Sequence, residues 1–149
     1  MKEMLKNPAL PKYAVCVFAF SGEKILSVTR RNTEIWGLPG GKVDDGESLP
    51  IALSRETFEE TGYFFHPHDL FPIYSEVVPC DDGNDYYTTA FWYTADSKLK
   101  DNGSDRGEIE AGIKYKFVTL DTLLSGAFSE FNTRALDSLR NVMLFRMGV

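Results

Sequence analysis

Between Gly41 and Tyr63 the chain reads GKVDDGESLPIALSRETFEETGY, a glycine-led loop running into a helix that Gly62 stops. Ser48 is a good N-cap, and Pro50 is tolerated in the first turn after it. Leu49, Leu53 and Thr57 then line one side of the helix with Ala52 beside them, while Glu56, Glu59 and Glu60 recur at i, i+3 and i+4 and share another. The last turn is the negative end of the helix dipole, which disfavours each carboxylate by roughly 0.3–1 kcal/mol. A chain that keeps three acids there is expected to use them to hold a cation.

The flanking sequence supplies the rest of a layered fold. Tyr13–Phe20 is apolar and rich in β-formers, Ser21-Gly22-Glu23 is a turn, and Lys24–Arg31 completes a hairpin. The segment Trp36-Gly37-Leu38-Pro39-Gly40-Gly41 is expected to break regular structure. Phe71–Val78 and Tyr86–Thr94 read as strands joined by the loop Pro79–Asp85, and Lys114–Thr119 as a last strand. Asp96–Gly107 is polar and reads as a mobile surface loop. Asp121–Leu124 predicts a short helix and Phe131–Phe145 a longer one, with Ala135, Leu139 and Val142 at helical spacing. Strands interspersed with helices predict one α/β domain over residues 1–149, a mixed sheet with helices on both faces.

Charge narrows the partners. The net charge is −6, with no basic tract of the kind that carries non-specific nucleic-acid affinity. A phosphate ligand must therefore be recruited locally, by a metal, by backbone amides or by a few basic side chains. No apolar run approaches the roughly 18 residues of a membrane span, and residues 1–12 lack the apolar core of a signal peptide. A cytoplasmic location is expected. Cys16 and Cys80 form no metal-ligand spacing, and Cys16 is expected to pack as a small buried hydrophobe.

Gly41, Glu47, Arg55, Glu56, Glu59, Glu60 and Gly62 stand at the spacing of the signature of the Nudix hydrolases, which this chain resembles at every charged and glycine position. Thr57 and Tyr63 depart from it, where the family usually places aliphatic residues; both are packing positions. The resemblance implies a Nudix-type α/β/α sandwich with a mixed β-sheet. It also implies metal-dependent cleavage of the pyrophosphate bond in a nucleoside diphosphate derivative, with Mg²⁺ or Mn²⁺ as cofactor. Glu56, Glu59, Glu60 and the Gly40 carbonyl would hold the metal, and Arg55 would clamp Glu47 of the loop against the helix as part of the catalytic set. The base would be Glu56 or a glutamate from a later loop, for which Glu110 is the best positional match and Glu108 the second choice.

The chemistry is consistent without the name. Pyrophosphate oxygens repel an incoming nucleophile, and hard oxygen ligands suit Mg²⁺. With three carboxylates so close, at least one would hold its proton more tightly until a cation arrived. Gly41 lets the backbone approach phosphate, and Lys42 and Arg30 or Arg31 are placed to contact it; an exposed strand-end arginine is an equal reading. Trp36 is expected to pack rather than stack on a base, and the aromatic strand Tyr86–Tyr93 to send about half its rings inward.

The substrate lies outside the signature. The leading expectation is an ADP-linked compound such as ADP-ribose, NADH, FAD or a diadenosine polyphosphate, giving AMP and a phosphorylated partner. Pro79 stands near the position of a proline found in family members acting on ADP-ribose, although prolines at strand ends are common. The alternatives are a nucleotide-sanitising (d)NTP pyrophosphohydrolase, an RNA 5′-cap hydrolase and a non-catalytic nucleotide-sensing domain. Monomer and homodimer both stay open.

Overall fold

The computed structural model describes residues 11–101, 108–146 and 148. Its strands are β1 (Lys12–Phe18), β2 (Phe20–Ser21), β3 (Lys24–Thr29), β4 (Trp36–Gly37), β5 (Gly40–Lys42), β6 (Leu70–Pro79), β7 (Asp85–Tyr93) and β8 (Tyr115–Val118). Its helices are α1 (Leu49–Thr61), α2 (Leu120–Leu124) and α3 (Ser129–Arg146).

Period-two alternation along β1 and β7 divides the interior. Val15, Val17, Phe91 and Tyr93 face a core completed by Ala52, Leu53 and Phe65. Phe18 and Ala90 face a second core completed by Phe131, Ala135 and Leu139. Both faces are covered, as the sequence predicts, and continuous apolar runs are what such strands need.

The strands form two sheets. A mixed sheet runs β5-β1-β7-β6, in which β1 and β7 are parallel. In the other, antiparallel sheet β3 pairs with β2 and β4 on one side and with β8 on the other. The run expected as one strand over Tyr13–Phe20 is interrupted at Ala19, whose carbonyl accepts from Leu26 N at 2.9 Å as the chain passes from one sheet to the other.

The glycine-rich segment also differs from expectation. Instead of breaking regular structure it contributes β4, paired with β3, and β5, paired with β1. Gly40 has φ +152, and a Cβ there would lie 2.0 Å from the Val15 carbonyl oxygen and 2.7 Å from Cys16 Cα. The backbones touch directly, which only glycine allows. Hydrophobic patterning cannot announce such a strand, because its pairing uses no side chain.

Helix α1 keeps its predicted ends. Ser48 Oγ accepts from Ile51 N at 3.4 Å, and Gly62 closes the helix in the left-handed region at φ +76, donating to Phe58 O. Ala52, Leu53 and Thr57 are buried. Helix α3 begins two residues before the expected start; Ala135 and Leu139 are buried and Val142 is half-buried. Of the expected loop Asp96–Gly107, Asp96–Lys98 forms a 3-10 turn and Leu99 is buried, while 102–107 lie outside the described residues. Among the described residues no helix is long and apolar enough to cross a membrane.

Candidate active site

The predicted carboxylates come together where α1 meets the glycine turn, but each is held differently. Glu60, in the last turn of α1, is 8% exposed, and its Oε1 accepts from the Gly40 amide at 2.9 Å. Burial, against that hydrogen bond, pushes its carboxyl up to about 8. Glu56 is half-buried; a Cβ on Gly41 would lie 2.5 Å from its Cδ, so the bare glycine makes its space. Burial raises its carboxyl too, and the neighbouring charges of Glu59 and Glu110 act in the same direction. Glu59 is exposed.

Arg55 is the hub. Nε and Nη2 grip Glu47 bidentately at 2.7 and 2.9 Å, and Nη1 reaches Glu56 Oε1 at 3.1 Å and Glu59 Oε1 at 3.2 Å. Nη2 also donates to Lys42 O at 3.3 Å. Of the two pairings open to it in the sequence, Arg55 makes both. The Glu47 carboxyl, bonded to Arg55 and to the Asp44 amide, is lowered to about 2. With its guanidinium taken up by Glu47, Glu56, Glu59 and the Lys42 carbonyl, Arg55 is placed as a positioning residue.

Among the described residues no three acidic, histidine or cysteine side chains yet converge as a metal site. The reason is visible: Arg55 draws Glu56 and Glu59, and the Gly40 amide draws Glu60. The donor set nevertheless suits a hard divalent cation, being all oxygen, with a buried carboxylate whose charge lacks a cationic partner of its own among the described contacts.

A cavity of about 440 Å³ opens beside this cluster. Glu60, Gly40 and Gly41 form one wall; Arg30, Lys42 and Asn132 contribute to the others. Arg30 pairs with Asp81 and lies over the Phe128 ring at 5.3 Å. Lys42 pairs with Asp82 at 2.9 Å, and Tyr86 OH donates to the same carboxylate at 2.5 Å. Neither cation waits unengaged for phosphate.

Glu110 stands in the turn before β8, near enough to Glu56 and Glu60 for its charge to act on both. Glu108 is exposed. Trp36 is 8% exposed and packs in the second core, as expected. Of the aromatic strand, Tyr86 alone reaches the cavity, whereas Phe91 and Tyr93 are core. Cys16 and Cys80 are both free thiols lining the cavity, and desolvation pushes Cys16 up to about 12.

Sequence reasoning did not single out Asp81, Asp82, Phe128 or Asn132. Asp81 and Asp82 sit in a loop whose polar composition signals only a turn. Phe128 adopts φ +56, a conformation no local pattern announces. Asn132 is 2% exposed, and its Nδ2 donates to Ala127 O at 3.1 Å. A lone asparagine inside an apolar helical face was its one available signal.

Fold and site together define an α/β/α scaffold with a carboxylate-lined cavity, and comparison with known proteins places it. The NUDIX domain profile matches residues 10–139, so the chain belongs to that family. A relative from Bacillus subtilis (strain 168), named "Putative 8-oxo-dGTP diphosphatase", is 54% identical over 41 residues, 28% of each chain. Another from the same organism, named "Uncharacterized Nudix hydrolase YvcI", is 28% identical over 99 residues, 66% of this chain and 62% of its own length. The chain thus spans under two thirds of either relative. A solved NUDIX hydrolase from Nitrosomonas europaea superposes with a TM-score of 0.64 at 20% identity, covering 89% of this chain and 90% of its own. That likeness concerns the fold.

Proposed function

We propose that this chain hydrolyses the phosphoanhydride bond of a nucleoside di- or triphosphate derivative with the aid of Mg²⁺ or Mn²⁺. The observation that carries the reading is the buried Glu60 carboxyl against the Gly40 amide, with Glu56 beside it, at the wall of a nucleotide-sized cavity. Glu56, Glu59, Glu60 and the Gly40 carbonyl would hold the cation. Bound there, it would neutralise phosphate oxygens and acidify a water. Arg55 holds the Glu47 loop against α1, so the carboxylates and the glycine turn keep one geometry. Glu110 accepts the proton as the water oxygen bonds to phosphorus and the anhydride P–O bond breaks. It suits this role because it is the later-loop carboxylate whose charge acts on both Glu56 and Glu60, while Glu56 is committed to the metal side.

For substrate, we infer a (d)NTP that is cleaved to NMP and pyrophosphate. The name of the first relative supports this. Asn132 lines the same cavity; its Nδ2 gives one of its two hydrogens to Ala127 O, and Oδ1 is open to accept from a base N–H. An ADP-linked substrate is the second reading. Its sequence pointer, Pro79, is exposed at the end of β6 and does not line the cavity, whereas Val78 and Cys80 do.

A Mg²⁺-dependent screen over 8-oxo-dGTP, dGTP, ADP-ribose, NADH, FAD and Ap₃A, with products identified, separates the readings. dNMP plus pyrophosphate supports the first, and AMP plus a phosphorylated partner the second. Glu60→Gln is expected to lower kcat by about 10²-fold or more. Wild-type protein that binds nucleotides without turning any over would instead be a sensing domain.

A further inference from the structure

Arg31 lies just beyond β3, where the sequence offers it equally as a phosphate ligand or an exposed strand-end cation. Arg31 lines the cavity beside Arg30, but its guanidinium is already engaged on the turn before β8. Nη1 donates to the carbonyl oxygen of Ala111, and Nη2 lies 3.5 Å from Glu110 Oε1. One residue on, the Asn32 amide donates to Gly112 O at 2.8 Å. The gripped turn is closed on itself by Ile113 N donating to Glu110 O at 3.0 Å. Gly112 has φ +82, and a Cβ there would lie 2.7 Å from Asn32 Oδ1 and 3.1 Å from Arg31 Cγ. The two segments meet with no room for a side chain between them. Ile109, just before Glu110, comes near the C-cap of α1, with its Cδ1 3.7 Å from where a Gly62 Cβ would be.

We propose that Arg31 is a positioning residue for the reaction, holding the Glu110 turn so that this carboxylate faces Glu56 and Glu60, and that it does not bind substrate phosphate. The inference rests on the reading above, in which Glu110 takes the proton. Its physical basis is charge. The charges of Glu110 and Glu56 repel one another, and Glu110 sits on irregular backbone that no sheet ladder fixes. Without a counter-charge the turn would relax away from α1. A planar guanidinium can hold a carboxylate and a carbonyl together; an ammonium, being a point charge, holds the pair less rigidly. Arg31 and Glu110 are 54% and 39% exposed, so the pair contributes little to global stability, and its loss should show in catalysis instead.

The test is a double-mutant cycle on kcat and KM with Arg31→Gln, Glu110→Gln and the two combined, using the best substrate of the screen. Glu110→Gln is expected to lower kcat by about 10²- to 10⁴-fold. Arg31→Gln should lower kcat by roughly 10- to 100-fold, with KM changed less than about threefold and the melting temperature nearly unchanged. The combined variant should match Glu110→Gln alone. Arg31→Lys, the milder change, should fall between Arg31→Gln and wild type. Losses that multiply in the combined variant, or a rise in KM at constant kcat, overturn the inference and make Arg31 a substrate ligand. A wild-type kcat for Glu110→Gln overturns it along with the role of Glu110. No turnover by the wild type overturns the functional reading itself, and the inference falls with it.

Discussion

Arg55 and Arg30 both pair with carboxylates near one cavity, yet they do opposite things. Arg55 is 30% exposed, grips a Glu47 that is 17% exposed through two parallel bonds, and extends to Glu56 and Glu59. Arg30 is 38% exposed and meets an Asp81 that is 78% exposed. Lys42, 62% exposed, is an intermediate case: its partner Asp82 is 30% exposed and is also held by Tyr86 OH and the Asn84 amide. Bidentate geometry in a partly dry setting fixes structure; single pairs in water hold side chains loosely and exchange partners readily. The Arg55 side of the site is therefore the more constant, and the Arg30–Asp81 pair the more readily rearranged.

The largest effect expected from breaking this contrast is electrostatic. Glu60 has a folded pKa of about 8, above its ordinary value near 4.5. Its contribution is thus fully present below pH 4.5 and is lost as pH rises through 8. Metal-free protein should lose stability over that window, by on the order of 3 kcal/mol from this group. Urea denaturation with EDTA across pH 4–9 would show it, and in Glu60→Gln the slope should flatten. Glu47 acts with the opposite sign, since its lowered carboxyl contributes stability that disappears as pH falls from about 4.5 toward 2.

Arg55→Lys should cost about 2 kcal/mol, because an ammonium cannot reproduce the fork on Glu47 while reaching Glu56 and Glu59. A smaller change sharpens the distinction between packing and chemistry on α1. The Thr57 hydroxyl is buried without a hydrogen-bond partner among the described residues. Thr57→Val should raise the unfolding free energy by about 1 kcal/mol while kcat stays within about twofold. Last, Asp81→Asn should change stability by less than about 0.5 kcal/mol. By releasing Arg30 it should lower KM roughly two- to fivefold at low salt, an effect that fades at high ionic strength. An Asp81→Asn cost equal to that of Arg55→Lys would erase the contrast.

Much of the constant side was legible in the sequence, and little of the adjustable side. Helix α1 announced both ends through Ser48 and Gly62, and the spacing of Glu56, Glu59 and Glu60 put them on one face. Local rules were enough there, because helix bonds span four residues. Strands β4 and β5 were not legible, since Gly37, Gly40 and Gly41 pair through backbone alone. Arg30 meets Asp81 across 51 positions of chain, and Arg31 meets Ala111 across 80. No periodicity encodes such separations.

The sequence by itself determined that a loop and a helix end would bring carboxylates, glycines and one arginine together, because those relations are near in the chain. Only the tertiary structure decided which carboxylate is buried and which cations are already engaged. Those outcomes depend on desolvation and on contacts between β3, the β6–β7 loop and the turn before β8, which are remote in sequence and meet only when the two sheets close around their cores.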